Sequence, residues 1–315
     1  MAFGNNPKYT GVIPPVVTPR ASDGSIDIAS LHQVVEHLIS GGVSGLFILG
    51  SSGEVPYLSN AEREQVAREI VAVNAGRVPV LAGASEQTTV RTIEEGAKLI
   101  ALGADALVVT TPFYALSNAA EIETHFREIK KALGVDLFAY DVPVRTHHKL
   151  PLDVAVRLAK DGIIAGVKDS SGDDVSFRQL LLATKDVEGF SVFTGHEVVV
   201  DGALLGGAHG VVPGLGNVDP AGYRRLFDLA VAGDWAGAAA EQDRLASLFN
   251  IVYTPDSSRV SGGAAGLGAF KTALVELGVI SSNAMSLPME ALNDSEASAI
   301  RAILENAGLQ TRVAS

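Results

Sequence analysis

A single lysine, Lys168, stands where an apolar run gives way to turn residues. It follows the run from Gly162 to Val167 and precedes the Asp-Ser-Ser-Gly turn at 169–172. An amine attacks a carbonyl only after losing its proton, and burial against an apolar strand end favours the uncharged form. The position therefore suggests an imine-forming nucleophile, although taken alone it more often marks a solvated lysine beside a strand.

A Gly/Ser-rich turn, GSSGE at 50–54, follows the apolar run from Gly45 to Leu49. Its glycines let the backbone turn sharply and aim N–H groups at an anion, and the hydroxyls of Ser51 and Ser52 add donors. These features indicate a carboxylate-binding turn, while a turn that only reverses the chain explains them equally well. The turn lacks the lysine of a phosphate-binding loop, which disfavours nucleotide binding.

A tyrosine and an arginine occur together after another apolar run. Tyr140 ends the run and Arg145 follows five residues later, in the sequence YDVPVRT. A phenol can pass protons when other hydroxyls are aligned with it, and a guanidinium can bind a carboxylate through two hydrogen bonds. Each residue alone is also compatible with a structural role, as a core aromatic or a surface charge.

The elements that must position these residues follow a repeating pattern. Apolar runs rich in Val, Ile and Leu alternate with helical segments, and runs that are apolar throughout are typical of strands buried on both faces. The predicted strands are 11–17, 45–49, 78–82, 106–110, 136–140, 162–167, 191–194 and 210–213. Eight such units predict an α/β fold of the (β/α)₈ TIM-barrel type, whose chemistry lies where strands end and loops begin.

The rest of the chain predicts a helical extension. We expect residues 1–219 to form the barrel core, and residues 220–315 to form the last barrel helix and a C-terminal helical extension. Within the second region, the Ser/Gly-rich stretch 254–268 is interpreted as a connecting loop rather than a lid. His147 and His148 are adjacent on an extended segment and point to opposite sides, so no metal site is predicted there.

Composition excludes several classes of function. The chain has 315 residues, 47% of them hydrophobic, with a net charge of -12 and no cysteine. The acidic balance disfavours nucleic-acid and acidic-membrane partners, and the absence of thiols fits a reducing compartment. The polar start at 1–10 lacks the apolar segment of a signal peptide, and no later stretch is long enough to span a bilayer. We therefore expect a cytoplasmic protein.

Several motifs in their order along the chain resemble the dihydrodipicolinate synthase and N-acetylneuraminate lyase family. They are GSSGE at 50–54, TPFY at 111–114, YDVPVRT at 140–146, GVKDSSGD at 166–173, and TGHE and HGVV at 194–197 and 209–212. The resemblance covers most of the chain. It implies a (β/α)₈ barrel in which a lysine forms an imine with pyruvate or another 2-keto acid, without a metal or an organic cofactor.

The resemblance also implies roles for individual residues. Lys168 is the expected Schiff-base lysine and Tyr140 the proton-shuttling phenol, with Ser51 linking Tyr140 to Tyr114. The family supplies this second tyrosine across a subunit interface, which implies a homodimer or homotetramer. The expected substrate-binding residues are Ser52 for the pyruvate carboxylate, Arg145 for the second substrate's carboxylate, and Gly195 and Val212 around the imine.

Two departures from the family pattern leave the second substrate open. Asp141 replaces the usual asparagine, and residues 254–268 replace a short proline-rich segment. The primary hypothesis is a dihydrodipicolinate synthase-like lyase that condenses pyruvate with aspartate semialdehyde, which Arg145 favours. The alternative is a 2-keto-3-deoxy sugar-acid aldolase or dehydratase using the same Schiff-base chemistry. A barrel that binds keto acids without turnover is the hypothesis from a different class.

Overall fold

Eight parallel strands form the centre of the computed structural model, which describes residues 4–312. The outermost residues of the two predicted regions, 1–3 and 313–315, lie outside this range. The strands are β1 (Gly11–Val12), β2 (Leu46–Ile48), β3 (Val80–Gly83), β4 (Ala106–Thr110), β5 (Asp136–Asp141), β6 (Gly166–Asp169), β7 (Ser191–Thr194) and β8 (Gly210–Val211).

The sheet closes on itself. Ladder pairing runs from β2 through β8 to β1, and a parallel bridge between Pro15 and Phe47 joins the two ends. Phe47 N–H donates to the Pro14 carbonyl at 3.0 Å across this seam. The structure therefore confirms the predicted (β/α)₈ barrel with helices beyond it.

Helices follow the strands around the outside. They are α1 (Ile28–Ser40), α2 (Asn60–Asn74), α3 (Thr89–Ala101), α4 (Ala119–Leu133), α5 (Pro143–Thr146), α6 (Leu152–Lys160), α7 (Asp174–Thr184), α8 (Val200–Leu205), α9 (Pro220–Ala232), α10 (Trp235–Phe249), α11 (Gly262–Glu276) and α12 (Asp294–Asn306). Among the helices of residues 4–312, none is both long and apolar enough to cross a membrane.

Local sequence fixes where these helices begin. Ser59 caps α2 by accepting from the Glu62 N–H, while the Glu62 carboxylate accepts from the Ser59 N–H. This reciprocal capping box satisfies two backbone donors that the helix itself cannot pair. Asn118 and Glu121 form the same motif at the start of α4, so polar residues set where these two helices begin.

The hydrophobic core has two layers on either side of the strands. The larger layer lies between the sheet and its helices. The smaller layer fills the barrel, with Phe47, Phe138, Tyr140, Phe193 and Val212 among its buried members. Strand alternation decides which layer a side chain enters.

One sequence prediction about a segment was wrong. Residues 262–268 form the first two turns of α11 rather than a loop, because Ser261 caps the helix by accepting from the Ala264 N–H at 3.3 Å. The glycines of this segment masked a helical start. Lys168 lies in the last half of β6, whose pairing extends to Asp169, as expected of a lysine at a strand's end.

Candidate active site

Sheet register brings three side chains together inside the barrel. Tyr140 of β5 pairs with Lys168 of β6, which pairs with Phe193 of β7. All three residues are less than a tenth exposed. Because neighbouring residues of parallel strands at one level point to the same side, these side chains form one layer of the barrel interior.

The amine of Lys168 lies against two aromatic rings. Its Nζ is 4.0 Å from the centre of the Tyr140 ring and 4.8 Å from the centre of the Phe47 ring. The rings limit access of water to the amine and fix its position at the carboxyl ends of the strands. A single amine held in this way is suited to attack a bound ketone.

The phenol of Tyr140 has an unusual electrostatic environment. Burial is the largest single effect and opposes its ionisation, while the charge and the hydrogen bond of Lys168 favour it, and the net result is a pKa of Tyr140 below its ordinary value of 10.0. Hydrogen bonds with the hydroxyls of Ser170 and Ser51 lower this pKa further. The phenol can therefore exchange protons with the neighbouring amine and hydroxyls.

A cavity of about 350 Å³ opens from this layer. Tyr140, Phe47 and Ser51 line its inner end, and Arg145 lines it further out. Its size lies within the range of small-molecule sites. The cavity therefore joins the predicted proton-transfer residues to the predicted carboxylate-binding arginine.

The GSSGE turn forms one side of this cavity and is held from behind. Glu54 is fully buried in the left-handed backbone conformation, with a φ of 59°. Its carboxylate forms an ion pair with the fully buried Lys271 of α11 and accepts from the Ser286 N–H at 3.0 Å. This buried pair ties the turn that carries Ser51 and Ser52 to the helix facing it across the cavity.

Arg145 extends from the short helix α5 and is exposed. Its guanidinium lies beside Gly263, where an added Cβ would be 3.2 Å from an Arg145 nitrogen. Within residues 4–312, Arg145 takes part in no ion pair. An unpaired guanidinium at the edge of a cavity is suited to bind a carboxylate.

Gly195 and Val212 lie around the buried layer rather than in the cavity lining. Val212 is buried in the same interior cluster as Tyr140. Gly195 donates its N–H to the Asp169 carbonyl at 2.7 Å, and a Cβ at this position would come within 2.0 Å of the Ser170 hydroxyl. Glycine is required here to leave room for Ser170. Sequence reasoning did not assign Ser170 to the site, although it lies two residues after Lys168.

Ser52 and Tyr114 are not brought into the cavity lining of this chain. Ser52 is partly exposed in the turn beside Ser51. Tyr114 is 88% exposed and has a φ of 73°, a conformation that costs energy for a tyrosine. Its side chain is exposed to solvent and is not part of the cavity lining.

Asp141 faces the outside of the barrel, opposite to its neighbour Tyr140. Its carboxylate binds Lys149 Nζ at 2.5 Å and accepts from the Leu150 N–H at 3.0 Å. Burial raises the pKa of Asp141, as does the adjacent charge of Asp169, while these two partners act in the opposite direction. The departure from the family's asparagine therefore creates an ion pair behind the strands and adds no group to the cavity.

Glu197, after β7, is a further acidic group near the lysine. Burial raises the pKa of Glu197 to about 7, although N–H groups of Leu215 and Gly214 and the charge of Lys168 oppose this shift. Its Oε1 accepts from the Leu215 N–H at 2.5 Å. Sequence reasoning assigned it no specific role, because position after a strand does not reveal burial.

Metal binding has no evident place in the described part of the chain. Among residues 4–312, no group of three or more His, Asp or Glu side chains is placed to hold a metal ion. His148 instead binds the Thr111 hydroxyl through Nε2 at 2.9 Å.

Comparison with known proteins places this arrangement among related sequences. Residues 8–307 match the model of the dihydrodipicolinate synthetase family. A 4-hydroxy-tetrahydrodipicolinate synthase of Phenylobacterium zucineum is 33% identical over 306 residues, which cover 96% of this chain and 99% of that protein. The synthase of Methanoculleus marisnigri is 31% identical over 302 residues, covering 95% and 100% respectively.

Solved structures show the same fold. The dihydrodipicolinate synthase of Acinetobacter baumannii, complexed with pyruvate, has a TM-score of 0.86 at 30% identity, covering 96% of this chain and 100% of that one. The prophage protein YagE of E. coli K12, also in complex with pyruvate, has a TM-score of 0.88 at 28% identity, covering 96% and 99%.

Proposed function

The chain belongs to the dihydrodipicolinate synthetase family, and from this premise we propose that it is a lyase in which Lys168 forms an imine with pyruvate. The observation that carries the proposal is the position of the buried Lys168 Nζ, 4.0 Å from the centre of the Tyr140 ring, which itself lines the cavity. Related proteins of known structure were solved with pyruvate.

Imine formation uses the neighbouring hydroxyls. Lys168 attacks the ketone carbon of pyruvate, Tyr140 returns a proton to the resulting oxygen, and water leaves. The Ser51 hydroxyl, which hydrogen-bonds the phenol, carries protons to and from it. The N–H groups and hydroxyls of the turn at Ser51 and Ser52 hold the pyruvate carboxylate.

Carbon–carbon bond formation follows from the cationic imine. Its nitrogen withdraws electrons, so the pyruvate methyl group loses a proton and becomes an enamine. The enamine attacks the aldehyde carbon of the second substrate, whose carboxylate binds Arg145. Hydrolysis of the imine releases the product and frees Lys168. We propose aspartate semialdehyde as this second substrate.

Asp141 and residues 254–268 are the two departures from the family pattern that favour the sugar-acid alternative, and the position of Asp141 removes the first support. Asp141 is engaged by Lys149 outside the cavity and cannot bind a sugar hydroxyl. The second support, residues 254–268, brings Ser261, Gly263, Ala264 and Leu267 to the cavity wall, and these residues offer few polar side-chain groups.

The oligomeric state and compartment are also proposals. We propose a homodimer or homotetramer, which the 88% exposure of Tyr114 supports. We also propose that the protein is cytoplasmic. In such an assembly Tyr114 of one subunit completes the proton relay of the other.

A condensation assay tests the proposed function. Purified protein is supplied with pyruvate and aspartate semialdehyde, and separately with a 2-keto-3-deoxy sugar acid, and pyruvate is followed by a coupled dehydrogenase. We expect pyruvate consumption that requires aspartate semialdehyde and is lost in Lys168→Ala. Release of pyruvate from the sugar acid without such consumption would overturn the choice of second substrate.

A further inference from the structure

The cavity has two polar ends with different chemistry. At the inner end, Ser51 and Tyr140 surround the Lys168 layer, and Thr110 pairs with Tyr140 in the sheet register. At the outer end, Arg145 lies beside Gly263 at the start of α11. A substrate that occupies the cavity must therefore place its aldehyde at the inner end and any acidic group at the outer end.

The wall between these ends is apolar. It combines side chains from segments far apart in sequence, which the fold brings to one place. These side chains are Val55, Pro56, Tyr57, Phe113, Val142, Leu267 and Met289. Val55, Phe113, Leu267 and Met289 are each partly exposed and face the cavity, so this surface is open to a ligand.

Two of the polar side chains beside this wall, Thr146 and Ser261, are already engaged within the chain. The Thr146 hydroxyl donates to the His148 carbonyl at 2.9 Å and lies 3.3 Å from the Val142 carbonyl. The Ser261 hydroxyl caps α11 by accepting from the Ala264 N–H. A substrate hydroxyl held against this wall would lose its bonds to water and gain few in return.

We propose that, in addition to aspartate semialdehyde, this site accepts an aldehyde with an apolar body, such as an aromatic ring or a short hydrocarbon, between its carbonyl and a terminal acid. This preference rests on the proposed function, because the aldehyde reacts with the enamine formed at Lys168. The apolar body contacts the wall formed by Val55, Phe113, Leu267 and Met289, and the acid binds Arg145. Chains of hydroxyls are disfavoured.

The reaction balances without an oxidant or reductant. The enamine carbon bonds to the aldehyde carbon, the aldehyde oxygen takes the proton delivered through Tyr140, and the cationic imine reforms. Water then cleaves the bond between carbon and the Lys168 nitrogen. The product is a 4-hydroxy-2-oxo acid, and the lysine returns to its starting state.

A panel of aldehydes tests this preference. The three carboxybenzaldehydes carry an apolar ring and an acid, while D-glyceraldehyde and tartronate semialdehyde carry hydroxyls. With pyruvate saturating, we expect kcat/KM for the best carboxybenzaldehyde to exceed that for either hydroxylated aldehyde by about ten-fold or more. Adduct formation with pyruvate and borohydride is measured in the same preparation.

Two variants locate the effect. Leu267→Gln places an amide in the wall and should lower the ratio of kcat/KM between carboxybenzaldehyde and glyceraldehyde by about ten-fold. Leu182→Gln makes the same change at a side chain 61% exposed on α7, away from the cavity, and should leave this ratio unchanged. A ratio is used because a general loss of folded protein lowers both rates equally.

The outcomes separate this inference from the proposed function. If pyruvate gives no adduct, both are overturned. If the adduct forms but hydroxylated aldehydes react as well as the carboxybenzaldehydes, or if the two leucine variants behave alike, only the apolar preference is overturned. A preference for the carboxybenzaldehydes in the wild type that disappears in Leu267→Gln supports the proposed apolar preference.

Discussion

At the residue scale, side chains of β5 and β6 alternate between the barrel interior, where the proposed reactive groups lie, and the outer face, where charged groups hold the strands together. Tyr140 and Lys168 point into the barrel, while Asp141 and Asp169 point outwards to Lys149, at 2.5 and 3.5 Å. The outer charges join the two strand ends that carry the inner pair. The position of the proposed reactive amine therefore depends on ion pairs on the opposite face of the same two strands.

Tyr140→Phe should slow imine formation by about 100-fold, because the amine loses its proton-transfer partner. The phenol's lowered pKa also predicts that the rate changes with pH below 10 in the wild type and that the variant lacks this change. Stopped-flow measurement of imine formation from pH 7 to 10 checks both. Tyr9→Phe, a buried phenol bonded to Asp136 at the start of β5, serves as the control and should keep the wild-type rate.

Glu197→Gln should alter how stability depends on pH. The folded protein holds the Glu197 proton more tightly, with a pKa of about 7 against an ordinary 4.5. The stability that this provides is complete below pH 4.5 and is lost as pH rises through 7. Between pH 5 and pH 8, wild type should lose on the order of 2 kcal/mol more than the variant, allowing for partial solvent access.

Urea unfolding at the two pH values measures this difference. Glu188→Gln, a substitution of an exposed carboxylate, should follow the wild type. An equal loss in wild type and Glu197→Gln would show that the folded protein does not raise the pKa of Glu197 to about 7.

Sequence patterns identified the proposed reactive residues more directly than their surroundings. The apolar run before Lys168 and the YDVPVRT motif indicated a nucleophile and a phenol, since both depend on local residue type. The direction of Asp141 depends on strand parity, which requires knowing that β5 extends to residue 141. The contact of Ser170 with Tyr140 depends on the space left by Gly195, a tertiary feature that no single segment encodes.

At the element scale, α11 has two functions. Its first turns line the cavity, and Lys271 further along it forms the buried ion pair with Glu54. The sequence predicted only the second half of this helix, because glycines at 262, 263, 266 and 268 are poor helix formers. Packing and the Ser261 cap outweigh that low propensity.

Lys271→Met should destabilise the protein by about 3–5 kcal/mol, because it leaves the Glu54 carboxylate buried without its partner. Adding Glu54→Gln should restore much of this loss, since the amide oxygen still accepts from the Ser286 N–H. Urea unfolding of both variants provides the measurement. Lys131→Met at an exposed pair should change stability by less than about 0.5 kcal/mol. A comparable effect of the two single substitutions would contradict this assignment.

At the scale of the whole molecule, Tyr114 argues that one subunit is not a complete enzyme. It stands in a left-handed conformation with 88% of its surface exposed, outside the cavity of its own chain. Strained residues persist where surrounding structure or function requires them. The proposed second copy, by receiving this tyrosine, would account for both its exposure and its backbone conformation.

Mixing two inactive variants tests this arrangement. Tyr114→Phe should have low activity and Lys168→Ala none. After the two are unfolded and refolded together in equal amounts, mixed pairs contain one site with both residues intact, giving about a quarter of wild-type activity. Activity in the mixture that equals the average of the separate variants would place Tyr114 outside its neighbour's site.

Trapping with pyruvate and borohydride tests the central claim most directly. Reduction converts an imine into a stable adduct, which intact-mass and peptide-mapping mass spectrometry locate on the chain. We expect one adduct per subunit, on Lys168, and none in Lys168→Ala. The absence of an adduct, or an adduct on another lysine such as Lys149, would contradict the assignment of this buried layer as the active site.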